Sequence, residues 1–514
     1  MMKFSSFISK HWDALIASLV ASAFIYFFTR HSGIGISPDS VNYESAATNI
    51  RDHFSFTDFN GLPLVDFPLG YPSFLAFVSW ITGITVLQIA PVLNCLLFSG
   101  VIILTSIVIA GFQKTSHVYK AGILALLACS PCLLEVYSML WSETIFIFLI
   151  LLFIVSLHHY FCTQRTFHLI RIALVVALAF VTRYAGVTLL ASGFFLILFN
   201  GGLVTNKKIK HLILFTLTGC SLVIINLVRN SIAAGHITGV REKAIRALGD
   251  NLHQVGITIS DWLPFLHGHE TMASVIFLVI LLTAVCFLLY YLLQQQYFAF
   301  YQNIVTCFFV VYAFFIMIIA SISRFEELTS RLLSPLYIPM LLTASSWFVP
   351  VIQRSYRVKK VAIVLLILII YAGFHFNHYR LNADAWEGIK DAGIPGYTED
   401  SWTQSPAVAF VKKNKTRFTQ PVYANANDAA YFLTGVHANA LPHKEIQQEK
   451  DNFLKHSSFY LIWFTDGEND DLVSLDFIKQ HKKLLAVEEL EGGAVYFFAD
   501  STATAPGEFL RPAF

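Results

Sequence analysis

The chain has 514 residues, of which 56% are hydrophobic and only 13% charged, where a soluble domain carries about 25% charged residues. Eleven long runs nearly free of charge, in a chain with 47 phenylalanines, exclude a soluble globular protein, because one such run could be a buried core helix but so many need a bilayer. Residues 1–380 hold 23 Lys plus Arg against 14 Asp plus Glu, whereas residues 381–514 hold 12 against 19. A basic membrane domain therefore precedes an acidic soluble domain, and the acidic part argues against nucleic acid as a partner.

Lys3 and Lys10 precede an apolar run from about Ala14 to Thr29, closed by Arg30 and His31. No Ala-x-Ala-like cleavage site follows, so the run reads as a retained first span. Ser37 to Pro72, between the first span and the later ones, carries Asp39, Tyr43, Glu44, Arg51, Asp52, Asp58 and Asp66. Either Ser37 or Asp39 can cap a short helix from Ser40 to Asp52, with Val41, Ala46 and Ile50 on its buried face. A cap worth roughly 1 kcal/mol is thus the structural account of Asp39, against a catalytic one. Tyr71 to Thr85 is apolar but short, interrupted by Gly83 and flanked by Pro68 and Pro72.

The spans fall at roughly 13–30, 87–110, 118–134, 141–160, 167–181, 184–201, 210–228, 271–295, 299–320, 332–352 and 361–378. Basic loops mark the cytoplasmic side. With an inside N-terminus and a segment 71–85 that does not cross, Lys114 and Lys120, Arg165 and Arg171, Lys207 to Lys210, and Arg354 to Lys360 all fall inside. The segment 71–85 then reads as a re-entrant or interface helix. The outer face collects a first loop 31–86, a junction 135–143, a second large loop 229–270, a turn 323–331 and the C-terminal domain.

Four arginines belong to that face: Arg183 in a Thr-Arg-Tyr-Ala-Gly turn, Arg229 at the end of a span, and Arg324 and Arg331 around Glu326 and Glu327. Charges at membrane depth pair, line a cavity or serve a ligand, and the guanidinium fork suits phosphate. Local pairing, such as Arg324 with Glu327, is the alternative. Glu135 and Glu143 bound the junction, where Ser142 can cap the following helix and its dipole favours Glu143. Cys129 and Cys132 form a C-x-x-C around Pro131, but with no second pair they read as buried small residues. The histidines are scattered, and there is no GxxxxGK loop.

Beyond residue 381, Asp384–Ala392, Gln404–Lys412, Asn427–Leu433 and Leu472–Lys482 read as helices. Pro421–Asn425 and Ser458–Phe464 read as strands, and Leu484–Leu490 with Gly493–Phe498 as a hairpin across Glu491-Gly492. This is a small soluble α/β domain, a cap on the outer surface or an aid to acceptor binding. Trp386, Tyr397, Trp402 and Trp463 are sugar-stacking candidates that ordinary core packing would equally explain.

The order of these motifs resembles the bacterial GT-C superfamily of polyprenyl-phosphate-dependent glycosyltransferases, with the protein O-mannosyltransferase-like enzymes and the lipid A aminoarabinose transferases as the nearest relatives. The likeness is carried by Asp39 after the first span, Tyr43-Glu44-Ser45-Ala46-Ala47, and Pro68-Leu69-Gly70-Tyr71-Pro72. It continues through Ser142-Glu143-Thr144, Arg183-Tyr184-Ala185-Gly186, Arg229-Asn230, and Arg331 with Pro335 and Pro339. Many relatives have Asp-Glu where this chain has Asp39-Ser40. The resemblance implies a polytopic α-helical GT-C membrane protein of about eleven spans (11–13), domains at 1–380 and 381–514, and residence in the inner (cytoplasmic) membrane with a periplasmic or extracellular C-terminal domain. It implies Asp39 as general base, and Arg183, Arg324, Arg331 and Arg229 as donor-phosphate ligands. Glu143, Asp66 and Glu44 become cavity acids, and Tyr43, Tyr71 and Tyr184 contacts to acceptor or lipid. The partners are a polyprenyl-phosphate sugar donor, membrane lipids and an extracytoplasmic acceptor. The Asp-x-Asp of the oligosaccharyltransferase branch is missing, so no catalytic metal or other cofactor is expected. A transporter or flippase, or a ligase of lipid-linked saccharides, is the competing reading.

Overall fold

The computed structural model describes residues 4–112, 116–239, 243–294, 299–324, 327–348, 351–352, 356–467, 469–500 and 510–512. Lys3, Lys114, Glu326 and Arg354 of the charge pattern lie outside them. The chain forms two compact units, one of Met1–Phe28 with Pro63–Glu387, the other of Thr29–Leu62 with Gly388–Phe514. The first outer loop is therefore divided: its Asp39 half belongs to the compact unit of the C-terminal domain.

The first unit holds most of α1 (Phe4–Thr29), then α3 (Gly70–Thr82), α4 (Val86–Ala110), α5 (His117–Ala128), α6 (Pro131–Ser138), α7 (Glu143–Thr163), α8 (Thr166–Thr182), α9 (Val187–Leu198) and α10 (Thr205–Ala234). It continues with α11 (Leu248–Trp262), α12 (Glu270–Leu293), α13 (Tyr301–Ile322), α14 (Ser330–Ser346) and most of α15 (Arg357–Ala392). Among the described residues seven helices are long and apolar enough to cross a membrane, and eight if α5 and α6, bent by 49° at their break, form one span. α8 and α9 are shorter apolar helices. The protein is a multi-pass membrane protein.

The 13 residues of α3 reach about 20 Å, less than the roughly 30 Å of a hydrocarbon core. Gly83, at φ 68°, ends the helix. The expected second loop is largely helical. α10 runs on to Ala234, and α11 buries Asn251, Val255, Ile259 and Trp262 along one stripe. α15 joins the last span to the helix expected at Asp384–Ala392, because no Gly or Pro falls between them.

The second unit begins with α2 (Pro38–His53). Ser37 is its N-cap: its N–H donates to Ser40 Oγ at 3.1 Å and the two hydroxyls lie 3.1 Å apart. Pro38 supplies the fixed φ that suits the first helical position. Asp39 is therefore inside the first turn and is not the cap. Asp58 ties the following loop, accepting from the N–H groups of Asn60 and Leu62 at 2.8 and 2.9 Å, and Asp52 pairs with Arg51 at 2.7 Å.

The C-terminal part adds α16 (Pro406–Lys413), β1 (Val422–Ala424), α17 (Asn427–Thr434), β2 (Asn439–Ala440), α18 (Gln447–Leu454) and β3 (Ser458–Phe464). It ends with α19 (Leu475–His481), β4 (Lys483–Leu490), β5 (Gly493–Ala499) and β6 (Arg511–Pro512). The sheet order is β2-β1-β3-β5-β4-β6. β1 lies parallel to β2 and β3, and the remaining pairs are antiparallel. Phe459, Leu461, Tyr496 and Phe498 fill one face of the sheet.

Candidate active site

In the first unit, the sequence makes a centre from three helix ends. The connection Met139–Ser142 between α6 and α7 is buried. Asn94 of α4 donates to the carbonyls of Tyr137 and Met139 at 2.8 and 3.0 Å, and Tyr137 stacks on Phe98 at 4.5 Å. This anchoring fixes Trp141, Ser142 and Glu143. Glu143, the first residue of α7, is fully buried, and its Oε1 accepts from Arg183 Nη1 at 2.7 Å and Arg331 Nε at 2.9 Å. Arg183 also donates to Ser142 Oγ at 2.8 Å, and the Arg331 guanidinium lies 4.6 Å over the Trp141 ring, a cation–π contact.

Close backbone approach brings the arginine turn into place. A Cβ on Gly186 would stand 2.4 Å from the Phe180 backbone, and one on Gly70 would stand 2.6 Å from the Val181 carbonyl oxygen. The Pro-Leu-Gly-Tyr-Pro phrase thus packs against the end of α8, two residues before Arg183. Asn226, Arg229 and Asn230 of α10 hold the same phrase and the residues just before it. They bond Leu69 N–H at 3.2 Å, the Leu64 carbonyl at 2.5 Å and the Val65 carbonyl at 3.4 Å.

Of the four arginines, Arg183 and Arg331 are brought together on one carboxylate. Arg229 bonds backbone and Asn230, and Arg324 stands half-buried just beyond α13. Glu327 pairs with Arg246 at 2.6 Å, across from α11. Glu143 is the buried counter-ion of both arginines. Asp66 is exposed. Tyr71 is buried and Tyr184 half-buried. Glu135, left out of the expected set, is exposed on a helix whose residues 132–134 and 136–138 are all buried. Its isolation as the sole acid of an apolar octapeptide was the available signal.

In the second unit, α2 packs on α17. Asp39 is half-buried and Tyr43 buried. Burial pushes the Glu44 carboxyl above its ordinary value, opposed by the bond from Thr48 (3.1 Å) and the charge of Arg51. Tyr397 donates its phenol to Asp428 Oδ2 at 2.9 Å, and both are buried. Burial pushes both groups up, and the charge of Asp39 adds to the shift in each. Tyr397 and Trp402 pack at 5.0 Å, and Trp402 on Phe464 at 5.4 Å. Trp463 is a partly buried member of the sheet core. In the first unit Trp386 stacks on Phe28 at 6.1 Å. All four sugar-stacking candidates are therefore engaged in packing. Among the described residues no group of three or more His, Cys, Asp and Glu forms a metal-holding cluster.

The polytopic helical unit followed by a small α/β part gives this chain the fold of solved GT-C glycosyltransferases. No family model and no curated protein matches the sequence. Among solved structures, ArnT from Cupriavidus metallidurans in the apo state aligns with a TM-score of 0.53 at 10% identity, covering 96% of this chain and 99% of that one. The Archaeoglobus fulgidus oligosaccharyltransferase in the apo form gives 0.53 at 10% identity, covering 99% and 77%. The oligosaccharyltransferase AglB of the same organism, in complex with an inhibitory peptide and a dolichol-phosphate, gives 0.50 at 12% identity, covering 98% and 77%. At such identities the likeness is one of fold.

Proposed function

We propose that this protein transfers a sugar from a polyprenyl-phosphate carrier to an acceptor hydroxyl or amine on the outer side of the cytoplasmic membrane. The observation that carries this reading is the pairing of Arg183 and Arg331 on the buried Glu143. Two guanidiniums converge on the carboxylate of Glu143 in a membrane unit, and their forked N–H donors suit a lipid phosphate. The dolichol-phosphate bound to the archaeal neighbour supports a carrier of this kind. The basic loops put the N-terminus inside and the C-terminal domain outside.

The donor's anomeric C–O bond breaks and its electron pair passes to the phosphate oxygen. The leaving group is already a stable anion, so its departure needs charge stabilisation more than a proton. Arg183 and Arg331 supply that stabilisation, which is strongest for preorganised donors in a water-poor site. The acceptor oxygen or nitrogen forms the new bond to the anomeric carbon, and its proton passes to Asp39 as general base. A single carboxylate acting on the acceptor inverts the anomeric centre, and the step draws on no metal. With Ser37 as the cap of α2, the structural account of Asp39 as an N-cap falls away.

The test compares wild type with Asp39→Asn in detergent, supplied with short-chain polyprenyl-phosphate sugars, with released polyprenyl phosphate quantified by mass spectrometry. Release by the wild type and a loss of at least about 100-fold in the variant is the expected result. Equal release by both removes Asp39 from the chemistry. Binding without release by either protein replaces the transferase with a carrier of lipid-linked saccharides.

A further inference from the structure

We propose that Tyr397 and Asp428 of the C-terminal domain are positioning residues for Asp39, together holding the first turn of α2 in its working direction. The inference rests on the reading of Asp39 as general base.

Tyr397 is bonded at both ends. Its backbone N–H donates to the Ile36 carbonyl at 2.8 Å, and its phenol donates to Asp428 Oδ2 at 2.9 Å. Ile36 is fully buried, and only Ser37 and Pro38 separate it from Asp39. Those two residues have little freedom: Ser37 is fixed by its bonds to Ser40, and the ring of Pro38 locks φ. Fixing Ile36 therefore fixes the start of α2 and the direction in which Asp39 leaves it. Asp428 gives the tether a firm base, since it stands in the first turn of α17, directly after β1. Phe59 on Tyr431 at 5.1 Å and the bond from Asn60 Nδ2 to the Ala438 carbonyl at 3.2 Å hold the far end of the same segment.

Asp428 accepts the phenol and also backbone N–H bonds in the first turn of α17, where the helix dipole favours a carboxylate. An asparagine would accept the same phenol proton with no buried charge, and burying a carboxylate is costly. Its field also reaches Asp39, so the fold carries a second acid near the first.

The test uses the full-length protein in detergent. It measures turnover as polyprenyl phosphate released, and amide hydrogen exchange over α2 and over β3 and β5. Tyr397→Phe is expected to lower kcat about 10- to 100-fold, the effect of a misplacement near 1 Å, with donor KM within about twofold. α2 should exchange at least about tenfold faster while β3 and β5 keep their protection. Asp428→Ala should match it, Asp428→Asn should recover most of that loss, and combining Tyr397→Phe with Asp428→Ala should cost no more than the worse single change. Unchanged kcat with a protected sheet overturns the inference, as does a fall in kcat with α2 exchange unchanged. If Tyr397→Phe strips protection from the sheet, Asp428→Ala and its rescue by Asp428→Asn decide the matter. If the wild type releases no polyprenyl phosphate, or Asp39→Asn is fully active, the general-base reading fails by itself. The exchange data then judge the tether alone, which unchanged α2 protection would sink.

Discussion

Replacing Glu143 by Gln keeps the shape of the side chain and removes one negative charge. Its Oε1 sits 2.7 Å from Arg183 and 2.9 Å from Arg331, fully buried. Without the carboxylate two guanidinium charges face each other, and breaking a buried pair in this way costs about 3–5 kcal/mol. The ligand-free protein should therefore unfold at a lower temperature. For an anion the sign reverses. A phosphate on the far side of the guanidiniums would lie roughly 7 Å from the carboxylate, and at an effective dielectric of about 20 the lost repulsion is about 2 kcal/mol. That amounts to about 30-fold tighter binding. Thermal unfolding of wild type and Glu143→Gln, each with and without polyprenyl phosphate, reads both effects at once. The variant should start lower and gain more from the ligand. A lower starting point with no larger gain would refute these arginines as the phosphate site.

Two further outcomes test the surroundings. Asp428 and Glu44 bind their protons more tightly in the folded unit than in an unfolded chain, so stability falls as pH rises. Their contribution is complete below the ordinary carboxylate range, about pH 4, and is lost as pH rises through their raised folded values. Urea unfolding read at β3 and β5 should show that slope, and Asp428→Asn should flatten it. At the other end of α1, Lys120 pairs with Asp13 at 3.0 Å, both buried, and donates to the Lys10 carbonyl at 2.6 Å. Lys120→Ala should destabilise the membrane unit by about 3–5 kcal/mol. Lys120→Met combined with Asp13→Leu should restore much of the thermal midpoint.

The membrane class and the GT-C fold were legible because hydropathy and the order of short motifs survive where overall identity does not. The strand Ser458–Phe464 and the hairpin around Glu491-Gly492 match the structure closely, since short runs of aromatic and aliphatic residues between polar turn signals leave little choice. α18 was not legible: Phe453 is its one buried residue, too little for a periodic signal. α11 was hidden because a polar loop composition masked a stripe at every fourth residue. In the candidate site, the arginines stand out in the sequence, but the meeting of Arg183 and Arg331 on Glu143 could not be read from it. That meeting joins positions 143, 183 and 331, and it depends on backbone approaches at Gly70 and Gly186. The membership of Asp39 in the C-terminal unit was equally invisible, since acidity beside a first span says nothing about a partner more than three hundred residues later.

That separation sets a schedule for synthesis. α2 is made before nearly all the spans of the first unit, while α17, on which it packs, lies beyond Gly388. At about 5–20 residues per second, the intervening chain takes on the order of 20–75 s to translate. Through that interval the Asp39 helix exists without its native neighbour, and Phe59 waits for Tyr431. Every span between the two parts must be made before α2 can meet α17, so this unit closes only after the membrane unit that interrupts it has been synthesised.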